Sequence, residues 1–138
     1  MSREIKYRAK RKDTGAFIYG WYVECPFGRW PVTPAIIDSE LARSGHYEPV
    51  EIDDETLGQY TGLRDKNGKE IYEGDIVTGW FDHEKITGYI FYGSDAKFYI
   101  ERNGLFGIGL NNAQDWTEVI GNIYENPEFL EGEHERTD

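Results

Sequence analysis

Cysteine and methionine each occur once in the 138 residues. The lone thiol, Cys25, closes no internal disulfide, which suits a reduced, cytoplasmic setting. No run approaches the ~20 consecutive apolar residues that a membrane-spanning helix needs, so no membrane role is expected. The opening "MSREIKYRAKRKD" has no apolar stretch behind its charges and does not read as a secretory signal. Cations are also in deficit. A net charge of −11 argues against general nucleic-acid binding, because phosphate contacts draw on a Lys/Arg excess.

Reactive groups are equally sparse. Histidine is limited to His46, His83 and His134, and none stands at an established zinc spacing from a second ligand. The nearest candidate is Asp82-His83-Glu84, whose neighbours would point to opposite faces on a strand. Cys25 is followed by Pro26 and has no recognisable general base beside it. "TGLRDKNGKE" lacks P-loop spacing, and there is no G-x-S-x-G elbow. No cofactor, metal site or catalytic residue is expected, and an enzymatic role is disfavoured.

Aromatic residues are abundant, at 15%, with ten Tyr, four Trp and seven Phe beside 16 glycines. Strands and tight turns follow more naturally from this than a helical bundle. In "IKYRAKRK", Ile5, Tyr7 and Ala9 alternate with Lys6, Arg8, Lys10 and Lys12, which puts the cations on one strand face. Lys6, Arg8 and Lys10 are candidate contacts for an acidic partner, set against a plain solvated face or an edge strand guarded by lysines. "DTG" reads as a turn into "FIYGWYV", a second hairpin strand with Gly20 where another backbone comes close. From Cys25 to Pro49 prolines interrupt the pattern, and an irregular connector is expected in which only "AIIDSELARSG" makes a short helix. "VEID" reads as a short strand, with Asp53 or Asp54 capping a helical turn through "ETLGQY".

A dense β pattern follows. "DIVTGWF", "EKITGYIFYG", "AKFYIER", "LFGIGL" and "TEVIGNIY" predict a small barrel or sheet, not alternating β and α units. "ENPEFLE" predicts a closing helical turn, with Asn126 as N-cap and Pro127 at the first helical position. The division expected is a hairpin and connector over 1–60, a β-roll over 61–130 and an acidic, frayed tail at 131–138. Trp80, Phe81, Tyr89 and Tyr92 lie on successive strands. A small barrel buries only alternate side chains, so some rings must face outward or be covered by another element. They are the candidate interaction surface.

"TGLRDKNGKEIYEGDIV" is the most organised stretch. Asn67-Gly68 is the strongest short-range hairpin signal, since both positions accept positive φ at little cost, and Gly74-Asp75 launches the next strand. An EF-hand reading fails, because counting from Asp65 places Glu70 where the loop needs glycine and Ile76 where it needs an acid.

Together with "GQYTG", "REIKYRA" and "VIGNIYENPEFL", this motif resembles the YopX-like proteins of bacteriophages and prophages. The resemblance implies a mainly β protein with an SH3-like C-terminal roll, a neighbouring N-terminal β segment and self-association. It implies no activity and no site residues. The leading expectation is a non-enzymatic, homo-oligomeric module in the host cytoplasm that binds a host or phage protein. The alternatives are an acidic DNA mimic that occupies a host nucleic-acid-binding protein, and nucleic-acid binding through the basic N-terminal strand.

Overall fold

The computed structural model describes residues 4–25, 33–102, 107–110 and 112–130. Part of the expected connector, 26–32, and the acidic tail at 131–138 lie outside them. The chain divides into two units, Met1–Tyr60 and Thr61–Asp138.

The first unit holds β1 (Tyr7–Arg11), β2 (Phe17–Cys25), β3 (Thr33–Asp38), α1 (Ser39–Arg43) and most of β4 (Pro49–Arg64). All pairings are antiparallel, and they close on themselves. β1 pairs with β2 and β4, and β3 pairs with the same two strands. β1 is therefore not the edge strand that its lysines suggested. β4 is long enough to bond β3 through Pro49–Glu51 and then β1 through Ile52–Gln59. Opposed pairs such as Ala9 and Ile18 turn inward, and they join Ile36 and Ile52 in a buried cluster against Tyr7, Tyr22, Val50 and Leu57. Burying each isoleucine contributes roughly 1.5–3 kcal/mol.

Gly20 is needed where it stands, since a Cβ there would lie 1.9 Å from the Ile37 carbonyl oxygen. Two local expectations are corrected. "AIIDSELARSG" splits into the end of β3 and α1, with the Asp38 carboxylate accepting from the N–H groups of Glu40 and Leu41 as N-cap. Over the described residues 33–49 the stretch is thus more regular than its prolines implied. "ETLGQY" is strand, not helix. Asp53 Oδ1 accepts from Glu55 N and the Thr56 hydroxyl donates to Asp53 O, so these groups build an irregularity inside β4 where its register against β1 shifts.

The second unit contains β5 (Glu70–Tyr72), β6 (Asp75–Phe81), β7 (Glu84–Tyr92), β8 (Phe98–Glu101), β9 (Ile108–Gly109), α2 (Ala113–Trp116) and β10 (Glu118–Asn122). β5 pairs with the end of β4, and the remaining strands form a sheet in the order β10-β6-β7-β8-β9. A consecutive meander whose last strand returns beside its first, with a helical turn before it, is the SH3-like arrangement. The mainly β expectation holds. Ile71, Val77, Ile86, Ile90, Ile100, Leu110, Ala113 and Val119 form its core. Gly79 and Gly88 admit the carbonyls of Trp116 and Glu101, which would lie 2.0 and 2.3 Å from an added Cβ.

Candidate interaction surface

The motif "DKNGKEIYEGD" is fastened by its two terminal aspartates, both buried. Asp65 Oδ1 accepts from the N–H groups of Asn67 and Lys69, each at 2.9 Å, and Oδ2 accepts from Val119 N at 2.9 Å. The same turn donates Lys66 N to Thr117 O. Asp75 Oδ2 accepts from Tyr72 N at 2.7 Å, around the Glu73-Gly74 bend. Gly74 takes φ +93°, donates to Ile90 O and accepts from Ile123 N.

Asn67 does not have the positive φ expected of it; Gly68 does, at +83°. The loop is closed by Gly68 N to Asp65 O and Asp65 N to Lys69 O, a turn followed by one left-handed residue. Every one of these polar groups is spent on folding. Sequence reasoning singled out the glycines and missed the carboxylate at Asp65, although an acid two residues before Asn-Gly is a recognised turn signal.

At the other end of the unit, the Asn126 side chain does not cap the helical turn at 128–130. Its Oδ1 accepts from Asn122 N at 3.2 Å, and its own N–H donates to Asn122 O. Asn122 Oδ1 in turn accepts from the N–H groups of Tyr124 and Glu125. Pro127 supplies the carbonyl that accepts Leu130 N.

The four ring candidates separate onto two faces. Register pairs Val77 with Gly88, Gly79 with Ile86 and Phe81 with Glu84, so Phe81 lies on the core side of the sheet. Tyr92 lies there too, opposite Phe98. Phe81 is 43% exposed and packs on Trp116 with ring centroids 5.0 Å apart; Tyr92, 46% exposed, packs on Phe98 at 4.8 Å. Trp80 and Tyr89 belong to the opposite face, together with Thr78, Lys85, Thr87, Phe91, Tyr99 and Glu101. Tyr89, Phe91 and Tyr99 form a partly exposed ring ladder at 6.5 and 5.5 Å. Trp80 is 67% exposed, the most open large hydrophobic side chain among the described residues.

The hairpin that carries Trp80 and Phe81 turns at Asp82 and His83, both at positive φ. This is the two-residue turn that matches strand twist, made here without glycine. Among the described residues no group of three His, Cys, Asp or Glu side chains converges as a metal site.

The N-terminal cations do not form a solvated ridge. Arg8 is only 5% exposed, with its guanidinium 4.7 Å from the Phe17 ring centre. Lys10 lies 5.5 Å from the same ring, and Lys6 lies 5.4 Å from Tyr60 and 3.6 Å from Glu4. Lys12 reaches Glu51 at 3.4 Å. The strand's cations are thus engaged with rings and acids of the first unit.

Titration is perturbed at a few positions. The hydrogen bond from Tyr99 Oη holds the Asp95 carboxyl below the usual carboxylate range, and Asp95 raises the Tyr99 phenol in return. The Arg11 guanidinium lowers Asp13 in the same way, through a 2.8 Å contact. Burial, then the hydrogen bond to Glu24, raises Tyr22. An open groove of about 360 Å³ in the second unit is lined by Leu63, Lys97, Phe98, Tyr99, Gly109 and Leu110. It holds one cation beside apolar walls and no acid–base pair. Charge is unevenly shared: residues 61–138 carry 16 of the 26 acidic and 7 of the 15 basic residues, a net of −9.

These features define a mainly β protein with an SH3-like roll, whose most distinctive surface is a ring-bearing sheet face. The chain belongs to the YopX protein family, which matches residues 6–131. It is similar to protein EF1440 from Enterococcus faecalis, a crystal structure with a TM-score of 0.55 and 30% identity that covers 94% of this chain and 99% of that one. No curated protein matches the chain.

Proposed function

We propose that this YopX-family protein is a non-enzymatic binding module, a phage or prophage accessory protein that works in the host cytoplasm by contacting proteins and by self-association. The observation that carries the reading is Trp80, open to solvent on the same sheet face as Tyr89, Phe91 and Tyr99. Tryptophan and tyrosine are favoured at interface hot spots because they offer large contact area for few rotatable bonds. The groups that chemistry would need are instead engaged in turns, as at Asp65 and Asp75, or held against rings, as at Arg8.

Light scattering on the full chain across a wide concentration range tests the reading. Mass should rise with concentration, and Trp80→Ala should suppress the rise. A strict monomer at high concentration overturns self-association. A second reading, the acidic DNA mimic, is favoured by the net −9 of residues 61–138. It predicts competition with DNA for a host nucleic-acid-binding protein that survives removal of residues 131–138.

A further inference from the structure

We propose that the outer edge of β9, with the groove beside it, takes an extended segment of another protein as an added strand. The segment it fits carries a large apolar side chain for the groove walls and a side-chain carboxylate for Lys97. The inference rests on the reading of a protein-binding module and gives that reading a site distinct from Trp80.

The main chain supplies the first observation. β9 is the last strand in the order β10-β6-β7-β8-β9, and no strand pairs with its outer side among the described residues. Ile100 stands opposite Ile108 and Tyr99 opposite Gly109, while Leu110 N donates to Phe98 O. That bond makes Tyr99 and Gly109 a pair that exchanges no hydrogen bond, so the N–H and C=O of Gly109 point away from β8. They take no partner among the described residues. Gly107, exposed and two residues back along the chain, is in the same condition. Glycines at both positions leave room for another main chain to come close.

The second observation is the groove of about 360 Å³, which Gly109 and Leu110 share with Leu63, Lys97, Phe98 and Tyr99. Leu63 is partly exposed, and Phe98 is only partly buried against the core. An apolar side chain seated against them removes further hydrophobic surface from water.

The third is charge. Lys97 is exposed, and its ammonium makes no ion pair among the described residues. The Asp95 carboxylate two residues away accepts from the Tyr99 hydroxyl and from Lys97 N. Arg64 and Arg102, by contrast, reach Glu70 and Glu84. A carboxylate on the added strand meets a cation that the chain leaves unmatched. A second copy presenting the same edge would bring another lysine and no acid from its groove, so the edge does not complement itself. Strand addition draws affinity from main-chain bonds and selectivity from pockets for alternate side chains, and this edge offers both.

The test is selection of displayed random octapeptides on the full chain, followed by fluorescence anisotropy with the enriched peptides. These should share one large apolar and one acidic residue at a fixed spacing. Lys97→Glu should weaken their binding about tenfold or more, by setting like charges together. Gly109→Pro removes the outward N–H without touching a bond to β8, and should weaken binding about tenfold as well. Hydrogen exchange covers the case in which a variant disturbs folding. In the parent protein the Gly109 amide should exchange about tenfold or more slowly once peptide saturates the edge. Peptides that bind without protecting Gly109 overturn the added strand. Enriched peptides without a shared acid, or binding indifferent to Lys97→Glu, overturn the pairing with Lys97. Binding lost in Trp80→Ala but kept in these variants overturns this site while the binding-module reading stands. Failure to enrich any peptide overturns the inference, and the concentration dependence of mass still decides the reading beneath it.

Discussion

The two units solve the same problem, the exposed edges of small sheets, by different means. In the first, four strands close in a ring, so that backbone pairing protects β1 on both sides. In the second, the sheet stays open in order, and one side of β10 is finished by a turn: Val119 N bonds to Asp65 Oδ2 and Thr117 O accepts from Lys66 N. The first unit depends on long-range strand pairing, the second on carboxylate and amide side chains holding short turns. The difference indicates where each is vulnerable.

Asp65→Ala should have the largest effect. It strips acceptors from three backbone N–H groups, one of them buried, and should destabilise the protein by about 3 kcal/mol or more in denaturant unfolding. Hydrogen exchange should quicken in β10 more than in β1; equal quickening would erase the contrast between the units. Gly20→Ala attacks the other solution. Its Cβ collides with the Ile37 carbonyl, so a loss of about 2–3 kcal/mol and faster exchange in β2 and β3 are expected.

Asn126→Ala sharpens the view that the second unit rests on side-chain-held turns. Losing the acceptor for Asn122 N should cost about 1 kcal/mol. Ala96→Gly works in the opposite direction. Ala96 sits at φ +68°, where a Cβ is strained by roughly 1–2 kcal/mol, and glycine's greater freedom in the unfolded chain offsets part of the relief. A small rise in thermal midpoint is expected.

The smallest effect is a titration. Because Asp95 is lowered, its contribution is present above the ordinary carboxylate range and fades as pH falls through its folded value. Because Tyr99 is raised, its contribution is present below the ordinary phenol range and fades as pH rises through its folded value. Absorbance titration should show two late-ionising tyrosines, Tyr22 and Tyr99, of which Asp95→Asn brings only Tyr99 back toward the others.

The strands of the second unit were legible because period-two patterns such as "DIVTGWF" are bounded by turn residues; β6 spans that heptapeptide, Asp75–Phe81. β3 was not, since Pro34 breaks the local pattern while the pairing of Ala35, Ile36 and Ile37 with β4 is settled by residues far along the chain. Alternation put Arg8 and Lys10 on one face of β1, and register sets them beside Tyr19 and Phe17 of β2. It could not show that Arg8 lies against Phe17, because burial of a strand's outer face is a tertiary property. The ring candidates illustrate the same limit. Tryptophan and phenylalanine adjacent in sequence must point apart, and only register shows that Trp80 keeps company with Tyr89 while Phe81 joins Trp116.

The way Asp65 and Lys66 terminate β10 also constrains any encounter with another molecule. Along that margin the main chain already has a substitute for a neighbouring strand, so an incoming polypeptide finds no backbone template there on which to add itself. Growth into fibres by strand addition is disfavoured at that border.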